Sequence, residues 1–248
     1  MMWSGDIHEV PVAPAAAASR PVEVKPTETL ATATAPDGSR LTLYRHDGAY
    51  LMVVDGVELM STRRTHSEIR LAELACESLH SIAGASVLIG GLGFGATLAA
   101  TLRLLPADAR VVVAELVADV IAWNRNPEWA LASASLADSR VTILHDDVGN
   151  VLRNNPASFD AVLMDVDNGA ESFTTGSNKK LYGEKGIRAA IDALKPGGTL
   201  AYWSVDTEPA FVKALKAAGL TVRVERVRAH ATSGGYNALI VGRVTTQI

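Results

Sequence analysis

The stretch Ile89-Gly90-Gly91-Leu92-Gly93-Phe94-Gly95-Ala96 decides the fold. It lies between an apolar run at 87–89 and a segment with helical apolar spacing at 96–105. Glycine reaches positive φ without penalty and lets a ligand approach the backbone, and the N-terminus of the following helix favours an anionic group. A strand, a glycine-rich turn and a helix in this order open a ligand-binding α/β sheet. The spacing G-x-G-x-x-A (Gly91, Gly93, Ala96) also suits a dinucleotide, so a nicotinamide cofactor has to be weighed.

Outward from this turn, apolar runs alternate with helical patterns. Strands are expected at 111–115, 141–144, 160–165 and 199–205, and helices at 117–124, to about 153, and at 181–194, where Lys195-Pro196-Gly197-Gly198 stops the last of them. A helix at 209–218 ends at Gly219, and strands at 220–227 and 238–244 follow. Near-continuous Val/Ile/Leu runs spaced by helices predict a parallel sheet covered on both faces. The last two runs have only a short link, so they should pair antiparallel at the sheet edge. The expectation is a doubly wound α/β domain with a seven-stranded, mostly parallel sheet over residues 63–248.

Upstream the character changes. Between 28 and 62, Asp37-Gly38, Asp47-Gly48 and Asp55-Gly56 each separate short runs rich in Thr, Leu, Tyr and Val. Asp-Gly between such runs is a strong hairpin signal, because a type I′ turn needs positive φ at both central residues. A small antiparallel β-hairpin unit is therefore expected at 28–62, with a helix at 66–81 carrying it into the larger domain. Residues 1–27 read as a flexible tail, with Pro11, Pro14, Pro21 and Pro26 breaking any helix.

The chain of 248 residues has a net charge of −4, so no basic field exists for wrapping nucleic acid. Its one cysteine, Cys76, excludes an internal disulfide and a thiolate cluster, and it sits at core spacing. No apolar run approaches the roughly 18–20 residues of a membrane span, and no basic segment precedes the Ala/Pro-rich 10–18 stretch as in a secretory signal. A cytoplasmic protein without membrane contact is expected. His66, His80 and His145 have no metal-binding spacing with the acids, so no metal is expected.

Ligands of such sheets sit beyond the carboxyl ends of the strands. Four strand ends here carry suitable groups. The first is the glycine turn. The second is Glu115, placed to accept both hydroxyl hydrogens of a ribose. The third is His145-Asp146-Asp147-Val148, where Asp147 suits an exocyclic adenine amine and the Val148 amide a ring nitrogen. An acid there also serves simply as the cap of the next helix. The fourth is Asp165-Val166-Asp167-Asn168, whose acids exceed what a turn requires, although a solvated loop has the same composition.

With these groups in order, the chain resembles the spermidine synthase (aminopropyltransferase) family, within the wider class of adenosylmethionine-dependent methyltransferase folds. The resemblance runs over roughly 28–244 and rests on Val53-Val54-Asp55-Gly56-Val57, Gly90-Gly91, Glu115, Asp147, the 159–165 strand, Leu181-Tyr182 and Leu194-Lys195-Pro196-Gly197-Gly198. It implies an adenosyl cofactor held by Gly90, Gly91, Gly93, Glu115 and Leu116, together with Asp146, Asp147, Val148 and Asp165.

Three departures bear on the reaction. Where the family has the Asp of a Gly-Gly-Gly-Asp-Gly turn, which meets the amine of decarboxylated adenosylmethionine, this chain has Gly93. An acid there would oppose the carboxylate of ordinary S-adenosylmethionine by about 4 kcal/mol at about 4 Å and near-surface dielectric. The family's Asp-Ser-Ser-Asp loop becomes Asp165-Val166-Asp167-Asn168, keeping the first acid only. Leu59 and Glu68 stand near the positions of the Gln and Tyr that shape the polyamine pocket. S-adenosylmethionine is thus the expected cofactor, and methyl transfer to a small amine or similar nucleophile the expected reaction. Aminopropyl transfer from decarboxylated S-adenosylmethionine is the alternative, and a non-catalytic cofactor-binding or oligomer-forming module the third reading.

Alkyl transfer from a sulfonium needs positioning above all, and an amine acceptor must lose a proton. Asp165 and Asp167 are the catalytic candidates, with Glu68, Glu171 and Trp203 lining the acceptor pocket. Tyr202 and Trp203 alternate on one strand, so at least one of them belongs to the core. The Gly/Thr/Ser-rich 168–180 segment suits either a lid or a plain solvent loop. Because a small meander leaves edges to cover, the hairpin unit is expected to support a homodimer.

Overall fold

The computed structural model describes residues 26–129, 131–166 and 178–244; the tail up to residue 25, the 167–177 segment and the last four residues lie outside this description. Strands β1 (Thr27–Thr34), β2 (Arg40–His46), β3 (Ala49–Val54) and β4 (Val57–Ser61) form an antiparallel sheet in sequence order. Two of its turns are as the Asp-Gly pairs predict: φ is +49° and +73° at Asp47-Gly48, and +48° and +87° at Asp55-Gly56. The first differs. Only Gly38 has positive φ (+91°), and the Asp37 carboxylate accepts from Ser39 N and Oγ instead. The longer loop at 35–39 turns the chain without two left-handed residues in succession.

Helix α1 spans His66–Cys76 and stops short of the expected 81. Beyond it Leu79 N, Ile82 N and Ala85 N each donate to the carbonyl three residues back, so tight turns replace the helix while Leu79 stays buried. The larger domain then alternates as expected: β5 (Ser86–Gly90), α2 (Ala96–Leu104), β6 (Arg110–Glu115), α3 (Ala118–Arg125), α4 (Ser133–Leu136), β7 (Val141–His145), α5 (Val148–Asn154), β8 (Phe159–Met164), α6 (Asn178–Leu181), α7 (Glu184–Ala193), β9 (Leu194–Ser204), α8 (Pro209–Ala217), β10 (Leu220–Arg228) and β11 (Tyr236–Val244).

Two expectations need correction here. The helix predicted at 181–194 is α7, which starts only at Glu184 after a break at Tyr182-Gly183, while Leu181 ends the short α6; a Cβ on Gly186 would collide with the carbonyls of Lys180 and Leu181, so α7 folds tightly onto α6. The Lys195-Pro196-Gly197-Gly198 stop is itself part of β9, as an irregularity with Gly197 at φ +76° and Lys195 Nζ 2.6 Å from Asp160 Oδ2. Helix α4 was not expected at all, since a four-residue helix has no period to read.

The seven strands run β10-β11-β9-β8-β5-β6-β7, with β11 antiparallel to both neighbours. Strand order reverses between β5 and β8, so the crevice of the sheet opens at the glycine turn. One face of the sheet (Val111, Leu163) packs with α1, α2 and α3 through Leu71, Leu98 and Trp123. It shares that core with Leu43 and Met52 of the four-stranded sheet. The other face (Leu88, Val162, Tyr202) packs on Leu152, Ile187 and Leu215 of α5, α7 and α8. Cys76 is in the first core, and burial pushes its thiol up to about 12. No helix among the described residues is long and apolar enough to cross a membrane.

Candidate active site at the sheet switch point

The glycine turn is clamped between two strands. Gly91 N donates to Ala114 O and Asp165 N to Gly90 O, each at 2.9 Å. Gly91 (φ +91°) lies so close to the end of β8 that a Cβ would strike the Asp165 carbonyl. The buried Asn124 donates to Gly93 O (2.8 Å), tying the turn to α3 as well.

Glu115, 8% exposed at the end of β6, receives Leu92 N on Oε2 (2.9 Å) and Val117 N on Oε1 (2.8 Å). Glu115 is therefore a structural anchor of the glycine turn. Each carboxylate oxygen has a second lone pair with which to accept a hydroxyl. Asp147 caps α5, its Oδ1 accepting from Gly149 N at 2.7 Å. Asp146 Oδ1 accepts from Asp147 N and Asn150 Nδ2, both at 2.8 Å. His145 Nε2 donates to Leu116 O at 3.1 Å. Val148 abuts the turn, its Cγ2 being 2.8 Å from where a Cβ on Gly90 would stand.

Gly91, Gly93, Glu115, Asp146, Asp147 and Val148 line a cleft with about 730 Å³ of space, open to solvent, that also contains Asp165, and the four-stranded sheet roofs it with Leu41, Met52, Leu59 and Met60. The space opened by Gly93 is less free than the sequence suggests. Met60 Sδ lies 3.1 Å from where a Cβ would stand, and the amides of Leu92 and Gly95 are already engaged within the protein.

A second cleft, of about 960 Å³, is lined by Glu68, Trp203, Val205 and Asn237 and shares Leu59, Met60 and Asp165 with the first. Asp165 thus stands where the two clefts meet. Its Oδ2 accepts from Thr97 Oγ1 at 2.6 Å. Glu68, on the first turn of α1, is held well above the usual carboxylate range, first by desolvation and then by the negative charge of Asp165. Trp203 Nε1 and Asn237 Nδ2 both donate to Ser67 Oγ at 3.0 Å, so β9 and β11 fix the start of α1. Arg64 pairs with Glu58 in the same cleft. Of the two alternating aromatics, Tyr202 is fully buried with Tyr182 and Phe211, and Trp203 faces the cleft.

Of the residues singled out from sequence, Gly91, Gly93, Glu115, Leu116, Asp146, Asp147, Val148 and Asp165 share the first cleft. Gly90 packs against the Val148 side chain, while Glu68 and Trp203 reach the second cleft beside Asp165. Asp167, Glu171 and the lid expected at 168–180 fall, for 167–177, outside the described residues. Thr97, Met60, Ser67 and Asn237 were not anticipated. They come from elements far apart in the chain, and none carries a local pattern. Among the described residues no group of three or more His, Cys, Asp or Glu is placed to hold a metal.

No family model matches the sequence, and no curated protein does. Solved structures do match in three dimensions. A spermidine synthase crystallised in complex with the transition state analogue AdoDATO is 18% identical with a TM-score of 0.73, over 88% of this chain and 74% of that one. The spermidine synthase from Thermotoga maritima is 17% identical with a TM-score of 0.69, over 88% and 73%. At such identities the likeness concerns the fold. The chain therefore has the fold of the spermidine synthases, a methyltransferase-like α/β domain preceded by a four-stranded antiparallel sheet.

Proposed function

We propose that the chain is a transferase that moves an alkyl group from the sulfonium of an adenosyl donor to a small amine. The observation that carries this reading is the junction at Asp165, where a cleft lined by Glu115 and Asp147 opens into one lined by Glu68 and Trp203. The first cleft fits an adenosyl group: Glu115 for the ribose hydroxyls, Asp147 for the adenine amine, and a turn at Gly91 whose contact with Asp165 leaves no room for a side chain.

When bound, the donor supplies a carbon activated by positive sulfur; its bond to sulfur breaks as the nitrogen–carbon bond forms. The protein's part is to align the two reactants and to manage one proton. An amine arriving as its ammonium is attracted to the Asp165–Glu68 pair. Asp165, as carboxylate, takes a proton and leaves the nitrogen lone pair free to attack. Trp203 offers an apolar wall for the acceptor's body.

For the donor, the likeness to two spermidine synthases, one bound to AdoDATO, favours decarboxylated S-adenosylmethionine and aminopropyl transfer. It ranks above the methyl transfer expected from the sequence. The methyl reading stands second on one observation, the absence of an acid at Gly93, where Met60 lies instead. Each donor should be incubated with a panel of small amines and the nucleoside product identified. Methylthioadenosine from the decarboxylated donor supports aminopropyl transfer, and S-adenosylhomocysteine from the other supports methyl transfer. Binding without turnover on either donor would turn the reading into that of a binding module, and no binding by calorimetry would overturn it.

A further inference from the structure

Thr97 is the second residue of α2, a helix that starts from Gly95 (φ +77°) with no side-chain cap. A threonine in the first turn of a helix commonly returns its hydroxyl to nearby backbone. Here Thr97, 2% exposed, donates to Asp165 Oδ2 at 2.6 Å across to the end of β8. The hydroxyl–carboxylate bond is in the short range of charge-assisted hydrogen bonds. It reaches the one acid that lines both clefts.

Resting on the proposed function, we propose that Thr97 is the positioning residue of the transfer: its buried hydroxyl fixes the Asp165 carboxylate at the junction of the two clefts and keeps it the ionised member of the Asp165–Glu68 pair. Two carboxyls facing each other share a proton, and a donated hydrogen bond decides which one carries the charge. With Thr97 on Asp165, a shared proton favours Glu68, whose carboxyl burial and the Asp165 charge hold well above the usual carboxylate range. Asp165 is then ready to accept a proton from the incoming ammonium. The other charged groups in the two clefts, among the described residues, are Glu115 on β6, Asp146 and Asp147 before α5, and Glu58 and Arg64, which pair with each other. Of these, Glu115 is held by the amides of Leu92 and Val117.

The test compares wild type, Thr97→Val and Thr97→Ser in the full chain. Side-chain carboxyl carbons are titrated by NMR without donor or acceptor, and kcat and KM are measured across pH. Thr97→Val keeps the volume and loses the donor. The lower titration midpoint of the pair should rise by about one unit or more. The acid limb of kcat should move up with it, so that kcat on that limb falls about tenfold for each unit of the rise, with KM for the donor within about twofold. Thr97→Ser should restore both. An unmoved midpoint in Thr97→Val, or a Thr97→Ser that behaves like it, refutes the positioning role and leaves a structural tether. If Thr97→Val does not fold, Thr97→Ala reads the same midpoint. Because the titration needs no turnover, a wild type that transfers neither group removes the proposed function while Thr97 is still decided.

Discussion

Replacing Glu115 by glutamine changes one oxygen to an NH2 group and almost nothing in volume. In the wild type both carboxylate oxygens are engaged from within, Oε2 by Leu92 N at 2.9 Å and Oε1 by Val117 N at 2.8 Å. An amide has one acceptor oxygen, so whichever way it turns, one of these two N–H groups faces another donor. The site is buried, with Glu115 8% exposed, so water does not replace the lost acceptor at no cost. A buried donor left unsatisfied costs about 1–3 kcal/mol. At roughly 2–4 °C per kcal/mol for a domain of this size, the unliganded protein should lose about 2–12 °C in Tm. Donor binding, measured by calorimetry on the folded variant, should weaken in addition, because the ribose loses a charged acceptor. The assay is thermal unfolding of the ligand-free variant beside wild type. A Tm unchanged within about 1 °C would mean that Glu115 does not hold the glycine turn, and its assignment as anchor would be wrong.

Asp147→Asn keeps an oxygen for Gly149 N and should leave stability within about 0.5 kcal/mol, while adenosyl-donor affinity drops by about 1–3 kcal/mol; equal affinity by calorimetry would remove Asp147 from the adenine contact. Burial and then the negative charge of Asp165 raise the folded Glu68 carboxyl above its ordinary value of about 4.5, so its contribution to stability is full below that pH and is lost as pH rises through the folded value. Glu68→Gln cannot ionise, and its Tm relative to wild type should climb as pH rises above about 4.5; a difference independent of pH would contradict the buried, neutral acid. Gly93 sits at φ +51°, a region aspartate tolerates better than most residues, and the neighbouring Met60 thioether is flexible enough to shift. Gly93→Asp should therefore fold and penalise S-adenosylmethionine against its decarboxylated form by up to about 4 kcal/mol; an unchanged affinity ratio would show that the donor's carboxylate lies elsewhere.

What the sequence determined by itself depends on neighbours along the chain. The left-handed glycines at 91, 93 and 95, the Asp-Gly turns at 47–48 and 55–56, and the strand-end positions of Glu115 and Asp165 follow from local conformational cost and apolar period. Because ligands of a doubly wound sheet gather at strand ends, these local facts already located the first cleft. Short range also explains the errors. The 181–194 pattern has one helical period although Gly186 lets two helices meet, and residues 77–81 kept apolar spacing while the backbone tightened into turns.

Only the tertiary structure decided which side chains stand opposite one another. Asp165 meets Thr97 across 68 positions and Trp203 meets Ser67 across 136, separations at which no periodicity carries information. It also decided that Glu115 holds the Leu92 amide as well as facing the cleft, that Tyr202 is core where Trp203 lines a pocket, and that Met60 occupies the space Gly93 opens. The physical reason is that conformational preference is a property of a few adjacent residues. Burial, desolvation and the pairing of acids arise only when strands from opposite ends of the chain are brought into one sheet.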